Sequence, residues 1–354
     1  MNESADIVGQ TAARIFADLA DPQAINSSTD DAWKAPLWQA LAQAGLTLAW
    51  VAEEHGGAGA SLADGFEIIS AAGRYATPVP IPETLLAGWL LSRAGISSPP
   101  GEMAVVPMHP ADCIRLNPDG TLSGSARGIA GCREARHLAV CAQNDAGTSI
   151  ALVEPGTCRI RDGISIAGET RSTMTFDRVK PSRIAAAAAD FDQTAAMLMG
   201  AAIRSVQSAG ALQSVLSLTL AYANERIAFE RPIGRFQAVQ HNLARLAGEV
   251  AAGMTAAGSA ADTIARARTF DDAVFLEVAS AKIRSAEAAE QAAAIAHQIH
   301  GAIGFTREHI LHRYTLPLLS WRDDFGNESY WAAALGNRIA AGGAEDFWPL
   351  LASR

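Results

Sequence analysis

Six residues in one short stretch, Arg226, Phe229, Arg231, Arg235, Phe236 and Gln237, combine guanidiniums with flat aromatic rings around a Pro232–Gly234 corner. Guanidiniums fork onto the oxygens of a diphosphate, and aromatic faces pack against a planar ligand. A second stretch, Gln298, His300, Gly301, Ala302, Gly304 and Phe305, ends a helical pattern on glycines that let a ligand or another backbone come close. Acids gather near the C-terminus as Asp323, Asp324 and Glu328. A carboxyl buried against a substrate has its pKa raised into the range of a general base. His300 fits a helix C-terminus, where the dipole favours it. His309 and His312, three apart, have no third ligand type nearby in sequence, which predicts a solvated pair and no metal site.

The elements that must position these groups follow from periodicity. To about residue 100, apolar residues recur at three- and four-residue steps, as in Ile7, Ala12, Ile15, Phe16 and Leu19, which predicts short helices. The run Glu53–Gly59, with glycines at 56, 57 and 59, interrupts them, and Ser61 is placed to cap the helix that resumes. From 102 the period changes to short β-prone runs divided by turn residues such as Asn117, Pro118, Asp119 and Gly120. Cys113–Leu116 with Thr121–Leu122, and His137–Ala142 with Ser149–Val153, read as hairpins, and Ser172–Phe176 as a further strand. From about 188 the chain is Ala-rich and helical, in segments Ala195–Phe229, Phe236–Arg268 and Asp271–Ile299, followed by a pair at Arg307–Leu318 and Phe325–Ala341. Long stretches with apolar stripes and short breaks predict an antiparallel bundle. The expected organisation is a helical domain over 1–101, a small antiparallel, barrel-like β domain over 102–187 and a four-helix bundle over 188–354.

Composition bounds the function. The 354 residues are 49% hydrophobic and 18% charged with a net charge of −9, so the chain can bury a large core and lacks the clustered cations that grip nucleic acid. An acidic start and no apolar run long enough to span a bilayer predict a cytoplasmic protein without a membrane partner. Cys113, Cys132, Cys141 and Cys158 form no CxxC pair and read as reduced, buried small hydrophobes.

The Arg226–Gln237 corner, the Gln298–Phe305 stretch, the Glu53–Gly59 loop and the helix–sheet–helix order together resemble the acyl-CoA dehydrogenase family, from about Ala13 to Trp331. The resemblance implies FAD as cofactor and α,β-dehydrogenation of an acyl-CoA thioester, with electrons passing to an electron-transfer flavoprotein. Position by position, Arg226 matches the arginine on the FAD diphosphate, and Phe229, Phe236 and Gln237 match cofactor contacts. Gln298, Gly301 and Ala302 match the stretch that reaches the FAD of a neighbouring subunit, which implies a homo- or hetero-oligomer, dimer or tetramer.

Other positions depart from the family. The position where it most often carries its catalytic glutamate falls at Phe325, and the alternative position at Gly200 or Ala201. Asp324 is one residue away and becomes the first candidate base if the loop shifts, with Glu328 the second candidate. Glu230 stands where the family has glycine. The usual flavin loop of the β domain is replaced by Ala104–Pro110, and the strand at the flavin ring by Ser125–Ile129. Such chains resemble subunits of bacterial heteromeric acyl-CoA dehydrogenases acting on bulky CoA esters such as steroid side chains. Three functions follow: dehydrogenation with Asp324 as base, a non-catalytic subunit that completes a partner's FAD site, or another flavin oxidation on the same fold.

Overall fold

The structure is a computed structural model and describes residues 3–352. Helices α1 (Glu3–Leu19), α2 (Pro22–Ser27), α3 (Lys34–Gln43), α4 (Leu62–Arg74) and α5 (Ile81–Arg93) come first. Strands β1 (Met103–Val106), β2 (Cys113–Leu116), β3 (Leu122–Ala130), β4 (His137–Asn144), β5 (Gly147–Val153), β6 (Arg159–Arg161), β7 (Arg171–Val179) and β8 (Arg183–Ala186) follow. The remainder is helical: α6 (Gln193–Glu225), α7 (Gln237–Arg266), α8 (Asp272–His300), α9 (His312–Trp321), α10 (Glu328–Gly342) and α11 (Ala344–Ala352). Between α6 and α7 lies a two-residue ladder of β9 (Ile227–Ala228) and β10 (Arg231–Pro232).

Ser61 caps α4 as its sequence predicts. Its hydroxyl accepts from the Asp64 N–H at 3.2 Å while the Asp64 carboxylate accepts from the Ser61 N–H at 2.9 Å, so two end donors of the helix are satisfied reciprocally. The next link is a close crossing of α4 on α6. A Cβ on Gly73 would lie 2.0 Å from the Gln207 carbonyl oxygen, and one on Gly210 would lie 2.1 Å from the Ser70 carbonyl oxygen. Each glycine removes the side chain that would hold the two backbones apart.

The sheet carries the expected hairpins, β2 with β3 and β4 with β5, in the order β6-β7-β3-β2-β4-β5-β8. It differs from a wholly antiparallel barrel in two respects. β1 and β2 both pair with β4 in parallel, and the sheet stays open, with β6 and β8 at its ends. β1 is buried at every residue, so it reads as an apolar run without alternation, and a parallel pairing leaves no turn signal in sequence.

In the bundle, α7 buries Leu246, Val250, Gly253, Ala257, Ala260 and Ile264, a stripe stepping by four and three residues against α6 and α8. α6 ends at Glu225, short of the predicted Phe229, because residues 227–232 turn back as a ladder. The last predicted helix begins at Glu328 instead of Phe325. Phe325 and Gly326 take left-handed backbone (φ 56° and 93°), and the Asn327 side chain then caps α10 by accepting from the Tyr330 N–H at 2.9 Å. All four cysteines are free; Cys132 and Cys141 are buried as expected, whereas Cys158 is half-buried and Cys113 is exposed.

Candidate functional site

α6 and α8 end, and α7 begins, at one end of the bundle, and this end gathers both glycine-containing motifs. The Tyr222 hydroxyl donates to the His300 carbonyl at 3.1 Å and its ring stacks on the His300 imidazole at 4.4 Å, fixing the end of α6 to the end of α8. Past Tyr222, Phe229 and Glu230 form the two-residue loop of the β9–β10 ladder, both with positive φ (52° and 66°). A two-residue hairpin of this kind favours glycine at such positions. That is a physical reason for the family's glycine at 230 and means that Phe229 and Glu230 carry backbone strain here. The strained loop leaves the Phe229 ring 89% exposed, edge-on to Phe236 at 6.1 Å, with the Arg231 guanidinium 4.2 Å from the Phe236 ring centre.

Arg226, Arg231, Arg235, Gln237, Gln298, Gly301 and Ala302 are all exposed at this end, and none of the three arginines has an ion-pair partner among the described residues. Gly301 has φ 64° and open space around its α-carbon. Unpaired guanidiniums beside a strained, exposed aromatic are the donor set that an anionic, planar dinucleotide requires, so these residues fit FAD.

Both positions implied for a catalytic acid are also brought together. A Cβ on Gly200 would lie 2.3 Å from the Phe325 ring, so the ring occupies the space that a side chain at 200 would need. Gly200 lies on α6 and Arg226 caps its C-terminal end, about 39 Å away at the rise of an α-helix. Phe325 is buried, and its N–H donates to the Met108 carbonyl at 2.8 Å. The Met108 sulfur in turn accepts from the Ala130 N–H at 3.3 Å. The loop replacing the family's flavin loop is therefore drawn onto the Phe325 turn.

Asp324, the first candidate base, is 6% exposed and is held in a network of charges. Arg171 donates to its two oxygens at 3.0 and 2.9 Å, and Arg204 donates through Nε at 2.8 Å. Arg204 also pairs with Glu83, and Arg171 with Glu169 at 3.0 Å. Burial alone would lower the Arg204 guanidinium, but Glu83 and Asp324 beside it hold it above its ordinary value. Burial raises the Glu169 carboxyl against the pull of Arg171. The network ties α5, β7, α6 and the α9–α10 turn. Lys282 of α8 adds a third buried cation, donating to the carbonyls of Trp321 and Arg322 at 2.8 and 2.9 Å. Burial pushes its ammonium down to about 8. The second candidate, Glu328, is held by Arg322; burial would raise it, but the hydrogen bond from Arg322 keeps it below the usual range.

Sequence reasoning did not find Arg171, Arg204, Glu83 or Lys282. Arg204 and Glu83 were detectable as solitary charges inside otherwise apolar helical runs. His300 is buried at its helix end, with Nδ1 2.8 Å from the Ala296 carbonyl oxygen and Nε2 without a partner among the described residues. His309 and His312 are half-buried instead of solvated: His309 lies edge-on to His300 at 4.6 Å, and His312 Nδ1 is 2.8 Å from the His309 carbonyl oxygen. Among the described residues, no group of acids, histidines and cysteines is placed to hold a metal, and no helix is long and apolar enough to cross a membrane.

Comparison with known proteins agrees with this arrangement. Residues 191–346 match the family model for the acyl-CoA dehydrogenase C-terminal domain. Acyl-CoA dehydrogenase IpdE2 of Mycobacterium tuberculosis is 30% identical over 318 residues, covering 88% of this chain and 90% of that protein. Among solved structures, a Tcur3481–Tcur3483 steroid ACAD variant superposes with a TM-score of 0.84 at 25% identity, covering 97% of this chain and 99% of that one. The ChsE4–ChsE5 complex from Mycobacterium tuberculosis shares the fold, with a TM-score of 0.84 at 22% identity over 96% and 98% of the two chains. The chain belongs to the acyl-CoA dehydrogenase family.

Proposed function

We propose that this chain is the non-catalytic subunit of a heteromeric acyl-CoA dehydrogenase, one that completes the FAD site of a partner chain. The observation carrying this reading is the contact of Phe325 with Gly200: both positions where the family places its acid meet, and neither can accept a proton. The one carboxylate next to them, Asp324, is engaged by two arginines, so on this reading it anchors the turn instead of removing a proton. When bound, FAD supplies the acceptor for the β-hydride of the acyl-CoA thioester and passes the electrons to an electron-transfer flavoprotein.

This chain's part is to bind. Arg226 neutralises the diphosphate, Phe229 and Phe236 cover the planar part, and Gln237, Gln298, Gly301 and Ala302 complete the wall. Arg226 and Gly200 stand about 39 Å apart along the direction of α6, which supports the reading that the exposed bundle end serves a site whose base lies on another chain. Heteromeric assembly is supported by the likeness to a steroid ACAD and to a two-protein complex.

The test is to purify the chain alone, and also co-expressed with an acyl-CoA dehydrogenase that carries the glutamate, and to titrate each anaerobically with saturated acyl-CoA and steroid-CoA esters. The isolated chain should show no bleaching of flavin absorption, and the complex should bleach. Bleaching by the isolated chain that Asp324→Asn abolishes would establish Asp324 as the base and overturn the reading.

A further inference from the structure

Four of the eight histidines, His297, His300, His309 and His312, gather where α8 ends and α9 begins, beside Gln298, Gly301 and Ala302. The turn after α8 is folded onto two of them. A Cβ on Gly304 would lie 2.9 Å from the His300 Cβ and 3.3 Å from His297 Nδ1, and the Phe305 ring lies 4.5 Å from the His297 imidazole. His300 is also held from outside its own helix: Tyr222 of α6 stacks on its ring, and His309 meets it edge-on at 4.6 Å. The Tyr222 hydroxyl donates to the His300 carbonyl, the last before Gly301. The placement of Gly301 and Ala302 therefore depends on this cluster.

The hydrogen bonds fix which protons these rings carry. His300 Nδ1 faces the Ala296 carbonyl oxygen at 2.8 Å and so bears a hydrogen, which leaves Nε2, buried and without a partner among the described residues, bare in the neutral ring. At His309 the order is reversed: Nδ1 accepts from the Leu311 N–H at 3.1 Å, so the hydrogen is on Nε2. A second proton on His300 would create a buried donor with no acceptor, and one on His309 would set a donor against the Leu311 N–H. Either proton would also place a positive charge in contact with the other ring.

Among the described residues no acid is placed to offset such a charge. The titratable groups acting on His297, His300 and His309 are one another and His312, and burial holds all three imidazoles below their ordinary range. On the surrounding elements, Glu225 and Arg226 at the end of α6 and Arg307 and Glu308 ahead of α9 are exposed. Arg313 on α9 is a further cation, and Asp21 acts on Tyr314.

We propose that Tyr222, His300 and His309 form a clasp that positions Gln298, Gly301 and Ala302 only while both imidazoles are neutral, so that acid frees this wall and releases the cofactor it holds. All three are positioning residues, which set the turn that meets the ligand. The release rests on the reading that this wall serves the FAD of a partner chain; the clasp does not. Opening exposes the rings and returns them toward their ordinary 6.5, so the open turn binds more protons and gains on the closed one as pH falls below that value.

Amide hydrogen exchange of the purified full chain is followed from pH 7.5 to 5.5 and corrected for the intrinsic effect of pH, with the buried stripe of α7 from Leu246 to Ile264 reporting global unfolding. Residues 301–306 should open about tenfold more at pH 5.5 than at pH 7.5 while α7 is unchanged. His309→Asn keeps an acceptor for the Leu311 N–H but takes no proton, so it should roughly halve the logarithm of that rise and leave protection at pH 7.5 as in the wild type. No rise, a rise shared equally by α7, or one that His309→Asn leaves intact overturns the proposal. Should His309→Asn fail to fold, Tyr222→Phe keeps the stacked ring without the hydroxyl and must open residues 301–306 about fivefold more at pH 7.5; unchanged protection refutes the clasp. The complex co-expressed with a glutamate-bearing partner should hold FAD at least about tenfold more weakly at pH 5.5 than at pH 7.5, a loss that His309→Asn reduces. Flavin held equally at both pH values, while the turn opens, overturns the release. No flavin at either pH, while the turn opens, overturns the cofactor reading and supports the clasp alone.

Discussion

Asp324→Asn separates the two roles open to that residue, because an anchor and a base fail differently. The amide keeps the shape but replaces an oxygen that accepts from Arg171 and Arg204 with a donor facing donors. The wild-type network sets Arg171, Arg204 and Lys282 against Glu83, Glu169 and Asp324, three formal charges of each sign. The variant leaves one positive charge uncompensated around an arginine that is 2% exposed. Removing one partner from a buried ion pair costs about 3–5 kcal/mol, and the low end applies here because each arginine retains an acid. With an unfolding entropy of roughly 2.1 cal/mol/K per residue, 354 residues give about 0.7 kcal/mol per kelvin, so a loss of about 3 kcal/mol lowers the melting temperature by about 4 °C. Thermal unfolding of the co-expressed complex and its flavin reduction rate are read on the same preparation. The expected result is reduced stability with an unchanged reduction rate per bound flavin. Unchanged stability with a reduction rate lowered a hundredfold or more would refute the anchor argument.

Other perturbations probe the bundle end, the helix crossing and the buried lysine. Arg226→Gln removes charge-assisted hydrogen bonds worth about 1.5–3 kcal/mol, so FAD retention by the complex should fall about ten- to hundredfold while the exposed position leaves the melting temperature unchanged. Gly210→Ala drives a Cβ to 2.1 Å from the backbone carbonyl of Ser70, which cannot rotate aside, and should cost about 3 kcal/mol, read by chemical denaturation. Burial holds Lys282 at about 8 in the folded chain against an ordinary 10.5, so the unfolded chain binds more protons between these values and stability contributed by this group rises with pH across that window. Lys282→Met should remove that rise, measured as the difference between variant and wild-type stability from pH 7.5 to 10. Burial likewise lowers His297, His300 and His309, so protonation favours the unfolded chain and stability should fall as pH drops below 6.5, a fall that His300→Gln reduces.

Much of this arrangement was legible in the sequence, and what was not has a physical cause. Helices α6, α7 and α8 announce themselves through length and apolar stripes, and β2–β3 and β4–β5 through turn residues, because these signals are local. The parallel pairing of β1 with β4 is not local, and Met103–Val106, buried on both faces, has no period that distinguishes it from any apolar run. The end of α6 was misplaced by four residues because Phe229 and Glu230 adopt a backbone that their side chains disfavour. Counting along the motifs pointed to Phe325 and to Gly200 or Ala201, and of these Phe325 and Gly200 lie far apart in sequence yet touch in space.

Sequence could not reveal what Asp324 faces, since its partners come from β7 and α6, more than a hundred residues upstream. That placement bears on how a chain of this family loses its base without losing its fold. A glutamate at 325 would need the room that the Phe325 ring now fills against Gly200, and its charge would lie one residue from an acid already satisfied by two arginines. The apolar ring removes that charge and packs the turn, the network holds the turn to α5, α6 and β7, and the bundle end about 39 Å away along α6 is left intact. On the proposed reading, the turn is packed and anchored without a base, while the exposed bundle end is kept for the cofactor site of a partner chain.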